Sequence, residues 1–335
     1  MSRAAGSAAL HSAVLVGFLA WVLCLGGCGG RQSPSTDAAF DNGAERARRA
    51  GLQAFADGRY ELAARSFQQM LDAAYQSDDS SAIVDARYNL AASLAELGRQ
   101  ASAIDLLDAA ETELRREGRD VSADITLLRA TIEYRAGRFE SVLSAIAPLL
   151  ARPQVEPRHR ARAHYLRGLV GARSGDRAAV RESLRGIVQD DPRNLAGADR
   201  DELEGRLAAL DGEPLRGVRL IERAAARRSR DGDYHSAARA LADAGEIALT
   251  AQHPRLAAEY LLRAGRSAAL TPGGAHAQRW LIRARQLALE VGDRATAVEA
   301  QGLLDGPARA DPLDAQPQAS AVEPKPTAQR DEAGG

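Results

Sequence analysis

Between residues 44 and 305 apolar and small residues recur at intervals that belong to antiparallel helix pairs. The turn of each pair is marked by Gly58, Gly98, Gly137, Gly175, Gly212, Gln252 and Gly292, at successive spacings of 40, 39, 38, 37, 40 and 40, a mean period of 39. Seven residues before the first six markers stand Gly51, Ala91, Ala130, Gly168, Gly205 and Gly245. Five residues after the markers stand Ala63, Ala103, Val142, Val180, Gly217, Ala257 and Ala297. Nine after come Phe67, Leu107, Ile146, Leu184, Ile221 and Leu261; twelve after come Met70, Ala110, Leu149, Ile187, Ala224, Ala264 and Leu304. The seventh repeat breaks two columns, with Arg285 and Gln301.

The columns have a mechanical meaning. Small residues seven before and five after the turn let two helix backbones approach, while the large residues nine and twelve after share one face of the second helix. Glycine at the marker admits the left-handed conformation that closes a helix. A lone hairpin of this kind exposes its apolar face, so the hairpins must stack. The pattern predicts an all-α protein of about fourteen helices in seven hairpins, with Arg285 and Gln301 suiting a polar cap on the last.

These residues resemble the tetratricopeptide repeat. The likeness is best over 51–71, where Gly51, Gly58, Tyr60, Ala63 and Phe67 fall on the motif, and continues through Ala91, Gly98, Ala103, Gly137 and Gly175. It covers about 44–305. Pro214, Pro254 and Arg294 replace the usual aromatic after the turn, Gln252 replaces a glycine, and the period exceeds the family's length of about 34. The resemblance implies a right-handed α-solenoid whose first helices line a concave groove for peptide segments. Carried through the register, groove positions are Tyr88, Tyr134, Arg135, Arg162, Tyr165 and Arg173. Tyrosine and arginine are enriched at binding hot spots, although tyrosines also fill gaps between repeats.

The flanks differ from the body. Arg3 precedes an apolar run from Ala13 to Leu25, and Leu25-Gly26-Gly27-Cys28 follows. This order reads as a secretory signal over 1–27, and its end resembles the lipobox of bacterial lipoproteins, in which Cys28 is lipidated. Lipid chains on Cys28 would hold the mature chain at a membrane. Gly rather than Asp at position 29 implies the outer membrane, facing the periplasm. Residues 28–43 are expected to form the lipidated cysteine and a flexible tether, roughly 20 Å in root-mean-square span. Residues 306–335, rich in Pro, Ala, Asp and Gln, are expected to form a disordered tail.

Composition narrows the chemistry. The net charge is −1, aromatics make up 4%, and the single lysine is Lys325. That removes P-loop and Schiff-base chemistries. His159 and His164 are five apart, off the spacing that aims two imidazoles at one metal, and the histidines read as solvated surface groups. No metal or cofactor is expected. A basic stretch from Arg152 to Arg185 precedes an acidic one containing Asp190, Asp199, Asp201 and Glu202, either as solvated helix faces or as a dipolar docking surface. Secretion and thin aromatic interleaving argue against nucleic acid. The expectation is a non-enzymatic adaptor whose partners are other envelope proteins or peptide segments. The alternatives are a glycan- or peptidoglycan-active helical-repeat enzyme, with Glu96 and Glu133 at plausible turns, and a self-assembling structural protein.

Overall fold

The computed structural model describes residues 36–191, 196–269 and 275–306, and the helices within them are all α. They are α1 Thr36–Ala56, α2 Tyr60–Gln76, α3 Ser80–Glu96, α4 Gln100–Arg116, α5 Ala123–Arg135, α6 Phe139–Ala151 and α7 Pro157–Ser174. There follow α8 Arg177–Asp190, α9 Gly197–Leu210, α10 Pro214–Arg230, α11 Tyr234–Thr250, α12 Pro254–Ala269, α13 Ala275–Glu290 and α14 Arg294–Asp305. Each odd-numbered helix pairs with the next, the seven hairpins stack in chain order, and the first helices α3, α5, α7 and α9 touch in sequence. The fold is an all-α helical-repeat solenoid.

All seven turn markers have positive φ, including Gln252 at 62°. In the first turn Gly58 N donates to Phe55 O at 3.0 Å and Arg59 N to Ala54 O at 2.8 Å, satisfying carbonyls at the end of α1. The next helix often starts from a side-chain cap: Asp176, Asp233 and Asp293 each accept from a backbone N–H three residues on. Pro214 opens α10 at a position where its missing N–H costs nothing.

The packing columns meet as close-approach geometry requires. A Cβ on Gly51 would lie 2.6 Å from Phe67 Cε1, and one on Gly205 would lie 2.6 Å from Ile221 Cγ1 and 2.8 Å from the Gly217 carbonyl oxygen. Ala63, Ala91, Ala103, Val142, Val180 and Ala257 are completely buried, as are Leu107, Ile221 and Leu261. Tyr60 is buried beside them. Hairpin four departs by one residue: Ser183 is fully buried where Leu184 was expected, and Leu184 is half-buried. Ser183 and the next hairpin's Leu203 occupy the space over Gly168, which leaves no room for a second leucine.

In the seventh hairpin the two exceptions satisfy each other, Arg285 donating to Gln301. The cap is not wholly polar, since Ile282, Leu289 and Val298 stand exposed beside them. The tether expectation needs shortening, because α1 begins at Thr36 and runs through residues assigned to a flexible segment. Cys28, the 1–27 signal and the tail beyond Gly306 lie outside the described residues. Among those described, no helix is long and apolar enough to cross a membrane.

Candidate functional site

Helices α5, α7, α9, α11 and α13, each the first of its hairpin, together line a groove of about 380 Å³; Arg228 of α10 is its one contributor from a second helix. Five of the six positions assigned to a groove from the register, Tyr134, Arg135, Arg162, Tyr165 and Arg173, are in its lining. Tyr88 is not: it is half-buried beside the apolar cluster of Ala91, Leu107 and Ile125. An aromatic ring on a small-residue seam fills the gap between repeats there.

The groove floor is a polar network. Tyr165 Oη donates to Glu202 Oε2 at 2.9 Å, and Arg228 donates to the same oxygen at 2.6 Å. Arg206 donates to Glu202 Oε1 at 2.8 Å and to Asp243 at 2.5 Å. Arg162 donates to Asp199 at 2.8 Å while its guanidinium lies 4.7 Å from the centroid of the Tyr165 ring, within cation–π range. Burial would push the Glu202 carboxyl up, but Arg206 and Arg228 outweigh it and hold it at about 2. Burial raises Asp243 and carries the Tyr165 hydroxyl well above its ordinary value. Tyr165 and Glu202 are therefore fixed parts of the wall, whereas Arg173 is exposed at the edge of the groove.

Sequence reasoning passed over much of this network. Asp201 is completely buried and receives Arg223 at 2.6 Å and Arg227 at 2.7 Å. Glu202 is also buried, although both belong to the stretch read as solvated or dipolar surface. Arginines of the basic stretch instead pair with acidic residues that follow it, Arg160 with Asp190 at 2.7 Å, Arg162 with Asp199 at 2.8 Å and Arg181 with Asp211 at 2.9 Å, and within the stretch Arg167 binds Glu182 at 2.9 Å. Stacking sets these pairs between neighbouring helices, while Arg173 stays exposed.

The histidines also need correction. His253 is exposed, but the side chains of His159 and His164 are only 13% and 16% exposed, facing Asp124 and Asp190. His276 lines the groove, stacked on Trp280 with centroids 5.8 Å apart. Burial, with Arg239 and Arg279 nearby, pushes it down to about 4. The carboxylates considered for catalysis are both held by cations. Glu133 receives Arg138, and Glu96 receives Arg135 at 2.9 Å and Arg239 at 3.0 Å. Burial would raise Glu96, but His235, Arg135 and Arg239 hold it well below the usual carboxylate range.

No protein-family model matches the chain, and no curated protein matches it. Among solved structures it is similar to a tetratricopeptide repeat protein from Parabacteroides merdae, at 13% identity and TM-score 0.44, over 78% of this chain and 99% of that one. It is also similar to the TPR2AB domain of yeast Sti1, solved as a complex with pHSP90, at 15% identity and TM-score 0.29, over 78% of this chain and 97% of that one. The fold assignment stands on the hairpin geometry itself.

Proposed function

We propose that this chain is a lipid-anchored scaffold that holds other proteins of the bacterial envelope, and that it binds them in the groove of its first helices rather than acting as an enzyme. The observation that carries the reading is the groove itself, which gathers side chains from five hairpins into one concave surface with exposed Arg173 at its edge. A surface drawn from many repeats suits an extended segment better than a compact small molecule. Tyr134 and Trp280 supply apolar area, Ser236 presents a hydroxyl, and Thr131, whose own proton goes to the Leu127 carbonyl, can still accept. The address rests on Leu25-Gly26-Gly27-Cys28: a lipid on Cys28 would place the groove in the periplasm at the outer membrane.

Photo-crosslinking residues at positions 131 and 236, in intact membranes, test the groove against position 188 on α8, which is exposed and outside it. Adducts from 131 and 236, weakened by Arg173→Glu, are expected; adducts from 188 alone would place the binding face elsewhere. Cys28→Ser tests the anchor separately, and should move the protein out of the membrane fraction. Membrane retention by that variant would sink the lipid reading without touching the groove.

A further inference from the structure

Stacked repeats need contacts only between neighbours, yet here the second hairpin meets the sixth. Glu96, the last residue of α3, accepts from Arg135 at Oε1 and from Arg239 at Oε2, at 2.9 and 3.0 Å. Glu96 and Arg239 are 143 residues apart, whereas Arg162 with Asp199 and Arg206 with Asp243 are each separated by 37. His235 Nε2 lies 2.9 Å from Glu96 Oε2 outside good hydrogen-bond alignment, and its Nδ1 is buried without a partner.

The first hairpin joins the same junction. Tyr60 packs edge-on to His235 with centroids 5.5 Å apart, and Phe55 packs on Tyr60 at 5.2 Å. A second cavity of about 330 Å³ lies between the 55–60 turn and the 231–235 turn.

We infer that these contacts form a clasp that closes the solenoid on itself and sets the aperture of the groove, with Glu96 as its central group. A solenoid of nearest-neighbour interfaces accumulates small rotations from one repeat to the next. A link from hairpin two to hairpin six restrains the sum of those rotations across four interfaces, which neighbour stacking cannot do. Stability alone gives no reason for it, since burying charges costs desolvation that pairing often only balances. Arg135 and Arg239 also line the groove, so the carboxylate that closes the clasp holds two of the groove's cations in place. The clasp stands whether or not the groove receives a protein partner.

The test uses the full chain with Glu96→Gln, Glu96→Arg, Arg239→Glu and the double reversal Glu96→Arg/Arg239→Glu. Small-angle scattering reads the radius of gyration, and hydrogen exchange reads segments 55–60 and 234–239. Glu96→Arg is expected to enlarge the radius and to speed exchange in those two segments by about tenfold, with α7 and α8 unchanged. Glu96→Gln should do the same more weakly and with unaltered helicity. The double reversal should restore both readouts, because a carboxylate at 239 then faces guanidiniums at 96 and 135. An unchanged radius and exchange in Glu96→Arg, or a loss that the double reversal fails to recover, would overturn the clasp.

Discussion

Tyr165 and Glu202 stand 37 residues apart, one repeat, and are joined by a 2.9 Å hydrogen bond between adjacent first helices. Tyr165 is the uncharged donor in a cluster in which Arg206 and Arg228 supply the countercharge to Glu202. Glu202→Ala should cost about 3 kcal/mol, because two buried guanidiniums lose a partner while Asp243 and Asp199 remain to each. Tyr165→Phe should cost about 1 kcal/mol, since the arginines still satisfy the carboxylate. Urea unfolding of both variants checks the order; equal losses would show that the charges are not the larger part.

The same carboxyl gives a pH dependence. It titrates at about 2 in the folded chain and near 4.5 when unfolded, so its stabilisation is complete above 4.5 and is lost as pH falls through about 2. Asp243 is raised by burial and runs the other way, offsetting part of that loss. Unfolding midpoints between pH 6 and 2 should show a shallower acid decline in Glu202→Gln than in the wild type.

His276 acts in a higher window. Its folded value of about 4 lies below the ordinary 6.5, so the unfolded chain takes up the proton first and stability falls as pH drops from 6.5 towards 4. Replacing His276 with Gln should flatten this slope, and an NMR titration of the imidazole should find it neutral at pH 6.

Close packing at the glycine columns predicts unequal penalties. Gly205→Ala meets the Gly217 carbonyl oxygen at 2.8 Å as well as Ile221, and backbone cannot rotate away. Gly51→Ala meets only the Phe67 ring, at 2.6 Å. Both should destabilise by roughly 1–3 kcal/mol, with Gly205→Ala the worse. Thermal melts of the two variants would settle the ranking.

Gln252 holds the turn position that glycine holds in the other six hairpins, at φ 62°. Gln252→Gly should raise stability by up to about 1 kcal/mol by removing a left-handed side-chain conformation. Gly98→Gln, at φ 77°, should lower it by a similar amount. Paired melting curves give both signs.

The network was partly legible in advance. Residues one period apart lie side by side in stacked helices, and complementary types occur at that separation: Glu61 with Arg99 at 38, Glu96 with Arg135 at 39, Arg162 with Asp199 at 37, and Glu222 with Tyr260 at 38. Reading charges along the chain hid this, because it grouped Arg152 to Arg185 as one basic stretch and Asp190 to Glu204 as one acidic stretch. Offsetting the sequence by one repeat pairs Arg162 with Asp199, whereas Arg160 with Asp190 and Arg181 with Asp211 need the shorter offset of 30. The burial of Ser183 in place of Leu184 had no such signal, since Val180 and Ile187 keep their register and only the way Leu203 fills the space over Gly168 decides between the two.

The tetratricopeptide-like register, the seven turns and the small-residue seams were determined by the sequence alone, because local conformation and the period of apolar residues suffice for them. Tertiary structure decided which charges are buried, which arginine of the groove is left exposed, and that Glu96 reaches Arg239. Those depend on the accumulated rotation of stacked hairpins, a sum over interfaces that no single repeat contains.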